Sequence, residues 1–178
     1  KILSDGGNTS FDDPATTFQP AKDIAGLVEQ GEKIGLPIDW DRDEDVKSLQ
    51  EITLYGIRGA AAYADHAAIL GQEDDTVYAS LQEKLTQMTD KSLGLQDWLE
   101  IALDTGKTNF RAMELLDAGN TGHFGHPEPS PVNLGHKAGK AILITGHDIK
   151  DLDDLLKQTA GKGINIYTHG EMLPCHAY

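Results

Sequence analysis

Two glycine-led pairs, Gly146-His147 and Gly170-Glu171, are where residue type and spacing in this chain point to chemistry. Each follows a short apolar run, Ala141–Thr145 in one case and Ile164–Thr168 in the other. A neutral imidazole is a ligand for iron, zinc or copper, and a carboxylate suits harder metal centres. Glu171 follows His147 by 24 residues, the length of one strand-helix-strand repeat, so the two side chains are expected to emerge side by side. In an open parallel sheet that position, at the carboxyl ends of adjacent strands, is where ligands bind. Together the pair is a candidate half of a metal site. Taken singly, each has a plain structural reading: His147 as a buried histidine bonded to a carbonyl, Glu171 as a helix-start carboxylate.

His169, Cys175 and His176 add donor atoms nearby. Cys175, beside Pro174, is open to two readings, a thiolate ligand or a small buried thiol. A mononuclear metal hydrolase built on His147, His169, Glu171 and His176 is a further possibility, with no recognised ligand spacing behind it. The turn Thr145-Gly-His-Asp-Ile-Lys150 carries one glycine, not the three of a dinucleotide-binding loop, and Asp148 is placed to cap the helix after it. The chain has no nucleophile elbow, His-Glu-x-x-His or Cys-x-x-Cys motif, so nucleophilic hydrolysis and structural zinc lack support.

The elements that must position these residues change period along the chain. Residues 1–19 read as an irregular leading segment, and Lys22–Ile34 as a short helix closed by Gly35 and Pro37. The acidic run Asp39–Asp45 precedes a long helix with Leu49, Ile52, Gly56, Gly59, Tyr63, Ala67 and Leu70 on one face, ended by Gly71. Carboxylates there suit the positive end of the helix dipole. Three more helices are expected: Asp74–Met88 with Val77, Leu81, Leu85 and Met88 inward, Leu95–Leu103 closed by Gly106, and Asn109–Ala118 burying Phe110, Met113 and Leu116. Residues 1–121 therefore form a helical bundle domain, with short links implying antiparallel neighbours. Residues 122–139, with three prolines and His123, His126 and His136, form a rigid crossing linker. Residues 140–178 begin an α/β domain, incomplete because two parallel strands do not make a stable sheet alone. The fold class is α + α/β, a helical bundle followed by the first strand-helix-strand of a parallel, Rossmann-like sheet.

A net charge of −14 argues against a nucleic-acid partner. The longest apolar runs are too short to span a bilayer, and one cysteine permits no internal disulfide and fits a reducing, cytoplasmic setting.

The segments Gly139-Lys-Ala-Ile-Leu-Ile-Thr-Gly-His-Asp-Ile-Lys150 and Gly163-Ile-Asn-Ile-Tyr-Thr-His-Gly-Glu-Met-Leu-Pro174 closely resemble the hybrid cluster (prismane, or hydroxylamine reductase) family. Leu49–His66 and Ala112–Asn120 look like helices of the same family, so the resemblance covers roughly residues 45–178. It implies an oxidoreductase holding an iron-sulfur-oxygen hybrid cluster, reducing hydroxylamine, and nitric oxide to nitrous oxide, with electrons from an external donor. By motif, His147 and Glu171 correspond to two of the cluster's iron ligands. The nickel-iron carbon monoxide dehydrogenases are similar in fold but place cysteine where this chain has Glu171. The family's second iron-sulfur cluster has no ligands here, and the remaining hybrid-cluster cysteines are absent as well. The chain thus reads as an internal fragment, inactive alone, whose partner is the remainder of the same protein or a complementary chain. The alternative is a non-catalytic helical fragment or binding module without metal.

Overall fold

The computed structural model describes residues 17–34 and 43–178. The leading segment to residue 16, Gly35, Pro37 and the acidic residues before Asp43 lie outside the described residues. The chain divides into two compact units, residues 1–42 and 43–178. In the first, helix α1 (Ile24–Ile34) starts where the Asp23 carboxylate accepts the Gly26 amide at 2.8 Å. Its apolar residues Ile24, Leu27 and Val28 are exposed.

The second unit holds α2 (Glu44–Ile69), α3 (Asp75–Gln87), α4 (Leu95–Phe124), β1 (Lys140–Thr145), α5 (Ile149–Thr159), β2 (Ile164–His169) and a closing 3-10 helix, Gly170–Ala177. Helix α2 begins at Asp43, whose carboxylate accepts the amides of Asp45 and Val46, so the end of the acidic run is a cap. It buries Val46, Gln50, Thr53, Ile57, Ala60, Ala64 and Ala67, while α4 buries Trp98, Ile101, Thr105, Thr108, Ala112, Leu115 and Gly119. Both sets advance by alternating steps of three and four, the seven-residue repeat of helices that lie side by side. Gly56 faces Thr105 and Gly119 faces Leu70. Both pairs keep the same sequence offset, so α2 and α4 run parallel. Helix α3 runs antiparallel between their ends, with Ser80 bonded to Thr108 at 2.8 Å and Lys84 to Asp104 at 2.7 Å.

Four expectations are corrected here. The inward face of α2 is rotated from the expected one: Ile52 is exposed and Ile57 buried. The second correction is that α4 is one helix, not two. A mid-helix glycine such as Gly106 costs about 1 kcal/mol, and the buried stripe that continues on both sides of it outweighs that. Phe110 and Met113, expected inward, are exposed, and Ala112 and Leu115 take the core positions. In α3 the buried position is taken by Lys84, not Leu85. Its ammonium lies against the Asp104 carboxylate and Ser80 hydroxyl, and the Lys84 hydrogen bond holds the Asp104 carboxyl below its ordinary range.

Helix α4 ends at Gly125 with φ +90°, and the chain crosses to β1 against the last elements. The Glu128 amide donates to the Ala177 carbonyl at 2.8 Å, Ser130 to the His176 carbonyl, and the Lys137 amide to the Tyr167 hydroxyl at 2.8 Å. Strands β1 and β2 pair in parallel, from Lys140 opposite Ile164 to Thr145 opposite His169. Helix α5 covers one face of the pair, where Leu152, Met172 and Cys175 form a small core with Ile144, Ile149 and Ile166. A helical bundle thus leads into the first strand-helix-strand of a parallel sheet, an α + α/β fold.

Candidate metal centre at the strand ends

The register that ends with Thr145 opposite His169 carries on past the strands, bringing His147 and Glu171 together. At each strand end a glycine turns the chain in the left-handed region, Gly146 at φ +135° and Gly170 at φ +58°, a conformation that side chains other than glycine rarely adopt. Below Gly146 lies the buried Met172, which seats the turn on the small core. Asp148 caps α5, its carboxylate accepting the Asp151 amide at 3.2 Å.

His147 Nδ1 stands 4.0 Å from Glu171 Oε2. That is beyond hydrogen-bond range, so the lone pairs of the two groups are not spent on each other. Their side chains are 48% and 83% exposed, so an approaching centre can reach both. Metal-nitrogen and metal-oxygen bonds are about 2.0–2.2 Å, which puts both atoms within reach of one centre. The donors, a borderline nitrogen and a hard oxygen, suit iron that is not ligated wholly by sulfur.

The other donors near the strand ends are engaged elsewhere. His169 Nδ1 pairs with the Thr145 hydroxyl at 3.1 Å, and His176 Nε2 with the Thr168 hydroxyl at 2.8 Å. Cys175 is buried in the small core, and burial pushes its thiol pKa up, so it sits there as a small apolar group. Among the described residues there is no group of three or more His, Cys, Asp or Glu that could hold a metal ion. The four-residue hydrolase site is therefore not assembled. The His147 and Glu171 pair fits a metal centre as part of a ligand set that needs further donors.

Two neighbours of His147 escaped the sequence reading. The Tyr63 ring meets the His147 ring edge-on at a centroid distance of 6.0 Å, and the His66 ring lies tilted against it at 5.4 Å. Both come from the end of α2, spaced i, i+3 on one face. That spacing is visible in the sequence, but nothing in it says that this face meets the turn after β1.

A helical bundle feeding a parallel sheet, with an imidazole and a carboxylate brought together at its strand ends, defines an α + α/β class of protein. A match to the Prismane/CO dehydrogenase family covers residues 7–178, and the chain belongs to that family. It is 59% identical over its whole length to a hydroxylamine reductase of Methanocella arvoryzae, covering 33% of that protein. It is 56% identical over its whole length to one of Syntrophobacter fumaroxidans, again 33% of the relative. A hydroxylamine reductase of Trichormus variabilis is 45% identical over 97% of the chain and 32% of the relative. The chain spans about a third of the length of the curated relatives it matches. No described helix is long and apolar enough to cross a membrane.

Proposed function

We propose that this chain supplies two iron ligands, His147 and Glu171, to the iron-sulfur-oxygen cluster of a cytoplasmic oxidoreductase that reduces hydroxylamine, with nitric oxide as a second substrate. The carrying observation is the 4.0 Å approach of His147 Nδ1 to Glu171 Oε2 at the carboxyl ends of paired parallel strands. Family membership and relatives named hydroxylamine reductase, 56% and 59% identical, support the reaction class. When bound, the cluster supplies electrons and an open iron position to a small nitrogen substrate. Reduction of hydroxylamine takes two electrons and two protons and releases ammonia and water, the electrons coming from an external donor. The chain's own contribution is to hold the two ligands at fixed separation on a sheet edge, with Tyr63 and His66 walling the imidazole. The remaining ligands come from the rest of the same polypeptide, which also completes the sheet.

The test is Glu171→Ala and His147→Ala in the full-length protein, with iron per chain and hydroxylamine reduction by a chemical reductant as readouts. Each variant is expected to lose iron and turnover while keeping its helical circular dichroism. Full iron content and full turnover in either would overturn that ligand assignment. An iron-free wild type would favour the non-catalytic module instead.

A further inference from the structure

The His66 imidazole has a buried Nδ1 with no hydrogen-bond partner among the described residues. It sits in the last turn of α2, between two groups of the turn that follows β1. On one side is the His147 ring, 5.4 Å away between centroids and tilted by 41°. On the other is Asp148 Oδ1, 3.9 Å from His66 Nδ1. The Asp148 side chain is 10% exposed and is held by its own cap bond to Asp151. His66 therefore stands close to both the capping carboxylate of Asp148 and the half-exposed ring of His147.

An imidazole free to turn about its side-chain torsions presents its nitrogens in several directions, and ligand histidines are normally oriented by a second contact. For His147 no hydrogen bond among the described residues supplies that contact, and the rings of His66 and Tyr63 do. We propose that His66 is a positioning residue: packed near Asp148 with its ring against His147, it sets the plane of the His147 imidazole and so the direction in which His147 is offered beside Glu171. Among the described residues no group of three donors forms, so His66 is not assigned as a third ligand. This inference rests on the reading of His147 as a ligand.

The experiment compares His66→Ala, His66→Phe and His147→Ala with wild type in the full-length protein. The readouts are iron per chain, the electron paramagnetic resonance spectrum after chemical reduction, the rate of iron loss to a chelator, and Tm. His66→Ala is expected to keep its iron count but to change the spectrum and lose iron about 10-fold faster or more, the scale on which such supporting contacts act. His66→Phe keeps an aromatic ring against His147 and is expected to restore most of the wild-type spectrum. An unchanged spectrum and release rate in His66→Ala, or a changed spectrum that Phe fails to restore, would overturn the positioning role. Wild-type iron and spectrum in His147→Ala would overturn the ligand reading itself, and this inference with it.

Discussion

Single residues here show how far side-chain type alone can be read. The approach of His147 to Glu171 was legible because a preceding glycine and a fixed spacing coincide at both. Tyr63 and His66 were not, because a helix face announces burial without naming what buries it. Asp74 is a residue whose role comes wholly from its partners. It caps α3 by accepting the Thr76 amide at 2.9 Å, and it receives the Arg111 Nε at 2.8 Å. The Thr76 hydroxyl and then Arg111 hold its carboxyl at about 2, below the ordinary 3.8. A depressed carboxyl stabilises the fold above the unfolded value and loses that contribution as pH falls through the folded one. Arg111→Ala should therefore be less stable than wild type by a constant margin above about pH 4. That margin should shrink as pH falls toward 2. Urea denaturation across that range checks it, and a margin that stays constant down to pH 2 would rule it out.

Elements follow from periodicity, but their orientation does not. The three-four spacing of α2 was legible, yet its apolar residues make two overlapping stripes, and the choice between them was settled by α4. The deciding contact is backbone-close: a Cβ on Gly56 would lie 2.8 Å from Thr105 Cγ2, while one on Gly59 would meet nothing within 4 Å. Gly56→Ala should thus cost about 1–3 kcal/mol by forcing the helices apart. Gly59→Ala, one turn on, should be neutral or stabilising by up to about 1 kcal/mol through helix propensity. Thermal unfolding of the two variants separates them, and equal shifts would contradict the packing. Gly106 misled for a related reason. A lone glycine looks like a helix end until the stripe that Trp98, Ile101 and Thr105 begin is seen to continue through Thr108, Ala112 and Leu115.

At the scale of the whole molecule, β1 is written for more neighbours than these residues supply. Its run of apolar side chains suits a strand covered on both faces. Helix α5 covers the Ile144 and Ile166 side, while Leu143, on the opposite side, is 67% exposed. The run was legible as a strand, and in this structure most of its residues are exposed. If the rest of the polypeptide completes the sheet, as proposed, Leu143→Lys in the full-length protein should cost about 2 kcal/mol or more. A solvent-facing residue would tolerate the change within about 0.5 kcal/mol. Chemical denaturation distinguishes the two outcomes. The parallel register of β1 and β2 carries one more consequence. Six backbone pairings set His147 next to Glu171. The two donors are thus in place as soon as the strands have zipped together. If the two are iron ligands, as proposed, strand pairing brings them together ahead of iron, and assembly of the centre would follow the folding of this segment.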